Sequence, residues 1–230
     1  MAAQNNRMSA KRNSVTEAIL SRRSVRSFLP RPIPRTMVEE MLGTAARAPS
    51  GGNLQPWRVD VLTGEPLAAL EAEALASTGT EMELEVYPSP LPEPYRTRRH
   101  RSGEALYEAI GIPRGDRPAR LAQFARNFEA FGAPVLLLFS IDRMFDRPQW
   151  AHLGMFIQNL MLLAEARGLA TCPQEAWAAV HDVVARHIEL PAERILYCGM
   201  ALGYPDLEAP INSLRTEREP VGEFATFRGF

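Results

Sequence analysis

The sequence predicts an α+β fold in which long helices cover a central sheet. Three stretches carry this reading. Ala133 to Ile141, "APVLLLFSI", is a continuous apolar run of strand length, and Arg194 to Pro205, "RILYCGMALGYP", is a second, closed by the Gly203-Tyr204-Pro205 turn signal. Between them Pro148 to Arg167 repeats at helical spacing and is apolar around most of its circumference, as a buried helix must be. Few strands mixed with long helices pack as layers. With 230 residues, 46% of them hydrophobic, the chain can bury a substantial core, and its length suits one compact domain.

The remaining elements follow in order. Residues 1–13 read as a flexible tail ahead of a single domain, 14–230. Ser14-Val15-Thr16-Glu17 is a capping-box pattern, predicting a helix to about Arg22. Thr36-Met37-Val38-Glu39 repeats the pattern, with Val38, Met41, Leu42, Ala45 and Ala46 on one helical face and "APSGGN" as its end. Arg58 to Leu62 alternates like a strand, and Glu65 to Ser77 is helical. Glu85 to Arg101 holds four prolines and reads as an ordered excursion or a mobile loop, part of a variable segment over about 85–115. Helical patterns return at Glu104 to Ile110 and Arg117 to Phe131, and the tail from Asp206 is polar and irregular.

Charge restricts the function classes. The net charge is -1, without the basic surplus of a protein that lives on nucleic acid or an anionic membrane. Lys11 is the only lysine, so arginine is this chain's ordinary cation and its position, not its presence, has to carry meaning. Two cysteines, Cys172 and Cys198, suit neither a disulfide framework nor a zinc site; both are expected reduced, in a cytoplasmic protein. No run approaches the ~18 apolar residues of a membrane span. The histidines, His100, His152, His181 and His187, make no metal-ligand spacing, and His181 and His187 read as helix-surface residues.

Two segments have the chemistry of an anion site. In "RRSVR" an extended chain would point Arg22, Ser24 and Arg26 to one side. Two guanidiniums flanking a hydroxyl suit a multi-oxygen anion, because the arginine fork donates paired hydrogen bonds; a solvated basic turn is the competing reading. "PSGGNLQPW" offers the Ser50 hydroxyl, amides at Gly51 and Gly52, the amide side chains of Asn53 and Gln55, and the flat face of Trp57. Its glycine spacing fits neither a Walker loop nor a dinucleotide fingerprint.

"AILSRRSVRSF", "PIPRTMVEEMLGTAARAPSGGNLQPWRV", "TCPQEAW" and "LRTEREPVGEF" together resemble the nitroreductase family of FMN-dependent oxidoreductases, in family order and over most of the chain. The resemblance implies an α/β/α sandwich with a mostly antiparallel central sheet and a domain-entwined homodimer with two FMN sites at the interface. It implies that Arg22, Arg23 and Ser24 meet the FMN phosphate or ribityl chain and that Arg26 lies toward the pyrimidine edge. Pro49, Ser50, Gly51, Asn53 and Gln55 would reach the same flavin from the other subunit. Pro173, Gln174 and Glu175 would run along the ring, the Glu175 amide near N5, and Arg218 would bind phosphate; Thr216 stands where the family often has a second basic residue. No side chain is implied as an acid or base, since the flavin carries the chemistry. The activity implied is reduction of nitroaromatic compounds to nitroso and hydroxylamino products, NADH or NADPH and the acceptor alternating on one flavin face.

"PYRTRRHR" could bring Tyr95 and one or more of Arg96, Arg98, Arg99 and Arg101, Arg96 first among them, over the flavin as a lid that grips an aromatic carboxylate, or could be a solvated basic loop. Other readings are a reductive dehalogenase, an enzyme that consumes its FMN to make a vitamin precursor, a flavin carrier without turnover, and a non-enzymatic protein using its basic segments to bind nucleic acid.

Overall fold

The structure is a computed structural model that describes residues 15–77 and 85–230. The expected tail, 1–13, and the Ser14 cap lie outside the described residues. In chain order the regular elements are α1 (Val15–Ser21), β1 (Phe28–Leu29), α2 (Arg35–Ala45), β2 (Trp57–Thr63), α3 (Gly64–Ala76), α4 (Tyr95–Ala109), α5 (Arg117–Ala125), β3 (Val135–Asp142), α6 (Arg147–Glu165), β4 (Ala170–Gln174), α7 (His181–His187) and β5 (Arg194–Pro205).

β5 is the centre of the sheet. β3 pairs with it antiparallel from Val135–Leu202 to Asp142–Arg194, and β2 pairs antiparallel with the far side of β3. β4 and the short β1 pair antiparallel with β5 as well. β3 is apolar without alternation because both its faces are covered. Leu136 and Leu138 pack with Leu67, Leu70, Trp177 and Val184 on the α3–α7 side. Val135, Leu137, Phe139 and Ile141 pack with Met41, Leu153, Phe156 and Leu160 on the α2–α6 side. At ~1.5–3 kcal/mol for each large side chain buried, this doubly covered strand is a principal source of stability. Helix, sheet and helix thus form three layers, the α/β/α sandwich expected. No helix among the described residues is long and apolar enough to cross a membrane.

Several local expectations are corrected. α2 begins at Arg35 with Pro34 as its cap, and no side chain closes it. The Pro34 carbonyl accepts from the N–H groups of Met37 and Val38, and Glu39 turns to Arg35 at 2.7 Å, so Thr36 is inside the helix. A capping box does form at Asp146-Arg147-Pro148-Gln149, which starts α6. "PYRTRRHR" is the opening of α4 and not a loop: the prolines at 88, 90, 92 and 94 end where the helix begins, and Pro94 is its cap. The pattern through Phe131 leaves α5 at Ala125 and continues as a tighter turn to Gly132, in which Ala130 and Phe131 take positive φ of 43° and 54°. β1, β4 and α7 are short, and Pro173 within β4 and the polar Gln174 hide the strand signal.

Candidate functional site

The arginine segment is held in extended form between two partners. The Val25 N–H donates to the Thr171 carbonyl at 3.1 Å, and Ser24 bridges Thr171 in parallel, so residues 24–25 run beside β4. Asn212, buried in the tail, accepts from the Arg26 N–H at 2.8 Å and donates to the carbonyls of Ser27 and Asp206, each at 2.8 Å. Extension separates the side chains as the alternation requires. Arg23 goes one way, its Nε donating to the Asn212 carbonyl at 2.7 Å, and burial with Arg215 nearby lowers its pKa. Arg22 and Arg26 go toward Cys172, whose thiol is pushed up to about 11 by burial even though both guanidiniums act to lower it. Arg26 donates to the Ser24 carbonyl at 3.2 Å. Among the described residues no carboxylate pairs with Arg22 or Arg26, so two half-buried cations stand together beside β4 without an anion.

"PSGGN" closes on itself and on α6. The Ser50 hydroxyl accepts from the Gln55 N–H at 3.0 Å, the Gln55 side chain donates to the Asn53 carbonyl at 3.2 Å, and Gly51 N–H donates to His152 Nε2 at 3.3 Å. Gly52, Asn53 and Gln55 all have positive φ, a conformation that glycine and asparagine accept most readily. Pro49 precedes this turn and leads into it from α2. Trp57 turns inward and stacks on Phe156, with centroids 4.9 Å apart, so its face is used by the core and not offered to a ligand.

β4 continues into the wall of a cavity of about 320 Å³. Pro173 and Glu175 form one side, Tyr197 and Cys198 another, and Gly154, Ile157 and Met161 of α6 a third. The Gln174 side chain is committed inward, donating to the Asn127 carbonyl at 2.7 Å and accepting from Trp177 Nε1 at 3.4 Å. Gly199, opposite Gln174 in β5, is required here: a Cβ would overlap the Trp177 indole. A bulge between Phe139 and Ser140 leaves Tyr197 as the extra residue of β5, which turns it out of the ladder toward the cavity. Burial pushes the Tyr197 phenol up to about 12, with Cys198 and Glu175 adding to the shift. Burial also raises the Glu175 carboxyl, against a hydrogen bond from Tyr87 that lowers it.

The tail docks on α4 through Arg98–Glu219 at 2.8 Å and Arg101–Glu217 at 2.9 Å. Arg218 folds back on its own segment, donating to the Thr216 hydroxyl at 2.7 Å. Tyr95 is exposed beside Arg98, and Arg96 pairs with Glu93 at 2.6 Å. His187 is not a free surface residue: its Nε2 lies 2.8 Å from Glu73, which Arg186 also holds, tying α7 to α3. Asn212, His152, Tyr197 and Tyr87 all shape the site, and none of them stands in a motif that marks it in the sequence. A polar residue in an irregular tail, such as Asn212, has only its type as a signal.

The Nitroreductase family matches residues 19–204. A "4-nitrobenzoate reductase" of Pseudomonas putida is 41% identical over 214 residues, 92% of this chain and 94% of the relative. A "Nitrobenzene nitroreductase" of Ectopseudomonas oleovorans is 39% identical over 218 residues, 93% of this chain and 96% of the relative. The crystal structure of the FMN and NADPH-dependent nitroreductase NfnB of Sphigopyxis sp. strain HMH superposes with a TM-score of 0.92 at 42% identity, covering 95% of this chain and all of that one.

Proposed function

The chain belongs to the nitroreductase family, and from that premise we propose that it is an FMN-dependent NAD(P)H oxidoreductase that reduces nitroaromatic compounds. The observation that carries this is the pair Arg22 and Arg26, half-buried and without a carboxylate among the described residues. Two partly desolvated guanidiniums that no carboxylate among the described residues neutralises fit a phosphate-bearing cofactor, because charge-assisted hydrogen bonds are strongest where water is excluded.

FMN, when bound, supplies a centre that takes up hydride from NADH or NADPH and passes it to an acceptor. The chain's own part is to hold and orient. Arg22, Ser24 and Arg26 would bind the phosphate and the polar edge, with Arg218 added from the tail, and Arg23 fixes the segment by its bond to Asn212. Pro173, Gln174 and Glu175, the backbone of Gln174 included, would form the wall against the ring.

The second half of the site calls for a second copy of the chain. Gly51 meets α6 at His152, whereas Arg23 feels Glu165 at the other end of that helix. At ~1.5 Å per residue these points are about 20 Å apart along the axis. If Pro49, Ser50, Gly51, Asn53 and Gln55 serve the same cofactor as Arg22, they must come from a homodimer partner. The exposed Val15, Ile19 and Leu20 of α1 and Phe224, Phe227 and Phe230 of the tail support such a partner. The nucleic-acid reading loses ground because most α4 arginines are already held by glutamates.

The test is an absorbance spectrum of the purified protein under anaerobic conditions, before and after NADPH or NADH and then a nitroaromatic compound. Flavin bands that bleach with the nicotinamide and return with the acceptor are expected, with parallel double-reciprocal lines in steady state. A protein that stays colourless after FMN is supplied overturns the reading.

A further inference from the structure

Four arginines occupy the first two turns of α4: Arg96, Arg98, Arg99 and Arg101. Three are neutralised, by Glu93, Glu219 and Glu217, at 2.6, 2.8 and 2.9 Å. Arg99 has no carboxylate partner among the described residues. Its guanidinium lies over the Tyr87 ring, 4.3 Å from the centroid. Tyr87 in turn neighbours Glu175, a wall residue of the cavity between α6, β4 and β5, closely enough that each shifts the other's titration.

The one arginine of α4 without a carboxylate partner among the described residues is therefore linked, through an aromatic platform, to a residue that opens onto the candidate active site. A ring stacked under a guanidinium fixes its plane and leaves its N–H edge free to donate. The Tyr87 ring thus stands between the Arg99 charge and Glu175. Arg96, the first of the four arginines that the sequence offers for the same task, is occupied by Glu93.

Resting on the nitroaromatic reading above, we propose that Arg99, carried on Tyr87, determines acceptor specificity by pairing with the carboxylate of an anionic nitroaromatic such as a nitrobenzoate. Glu175 repels an anion at its own edge, so the carboxylate is accepted on the Arg99 side of the cavity mouth, and the nitro end points inward. Uncharged nitroarenes of similar size gain nothing from Arg99.

The test compares the FMN-loaded wild type with Arg99→Gln, Arg99→Lys and Arg101→Gln, the last removing an arginine that Glu217 already neutralises. Two readouts are taken: the ratio of kcat/KM for 4-nitrobenzoate over nitrobenzene, and the calorimetric Kd of benzoate, which requires no turnover. Arg99→Gln is expected to lower the ratio and weaken benzoate about 10-fold each, the low end for a charge-assisted pair open to solvent. Arg99→Lys should recover part of both, since it keeps the charge and loses the fork, and Arg101→Gln should move neither. A ratio and a Kd that Arg99→Gln leaves within 2-fold overturn the inference while the oxidoreductase reading stands. If neither nitro compound is reduced, that reading falls, and the benzoate Kd still decides whether Arg99 binds carboxylates.

Discussion

Arginines gather twice in this chain, at residues 22–26 and at 96–101, and their surroundings are opposite. On α4, Arg96, Arg98 and Arg101 are exposed and each has a glutamate within 2.9 Å. Exposed pairs of this kind contribute little, ~0–1 kcal/mol. Beside β4, Arg22 and Arg26 are half-buried and lack a carboxylate among the described residues. An unpaired guanidinium taken partly out of water costs stability, and a fold keeps one where something else arrives to neutralise it. A cluster of like residues thus says less than the charge left over after pairing.

The strongest way to break this contrast is Arg22→Ala. Loss of a charge-assisted contact to phosphate should weaken FMN about 100-fold in a fluorescence titration; a change below 3-fold would show that the unpaired charge serves some other purpose. Next comes Asn212→Ala, which removes three hydrogen bonds from the backbone of the arginine segment and tail. A loss of about 2 kcal/mol in urea unfolding is expected, with weaker FMN binding although no cofactor contact is deleted.

A carboxylate offers the mirror case. Glu71 is half-buried, faces Glu129 and not a cation, and is pushed up to about 7 by burial first and Glu129 second. The folded state holds this proton more tightly than the unfolded chain, so stability falls as pH rises from about 4.5 to 7, and the penalty is complete above that. Glu71→Gln should raise Tm at pH 8, by the equivalent of ~1 kcal/mol after solvent screening, and leave it unchanged near pH 4.5. The smallest effect should come from Arg101→Ala, below ~0.5 kcal/mol and without influence on FMN affinity. A larger loss would mean that the docking of the tail on α4 depends on that pair.

Long elements with a continuous pattern of their own were the more legible ones in the sequence. β3, β5 and α6 are read to within two residues at either end because apolar runs and helical periodicity report burial directly. β1 and β4 are not, since they owe their pairing to β5 and have little pattern of their own. The arginine alternation was readable as far as Arg22 and Arg26, but its anchor Asn212 lies 186 residues from Arg26 in sequence, beyond the reach of any local motif. The same holds for Arg99: which of four neighbouring arginines lacks a carboxylate among the described residues depends on where glutamates 93, 217 and 219 arrive in space.

The placement of the two thiols has a chemical consequence for endurance. Nitroso compounds, the first products of nitro-group reduction, are electrophiles that add to thiolates. Cys172 and Cys198 are buried, and burial raises both thiols well above their ordinary range, so neither is appreciably ionised near neutral pH. Cys198 even lies in the cavity wall, where such a product would be most concentrated. Under the proposed reaction, thiols held neutral in this way let a nitroso product leave many times over without capturing it.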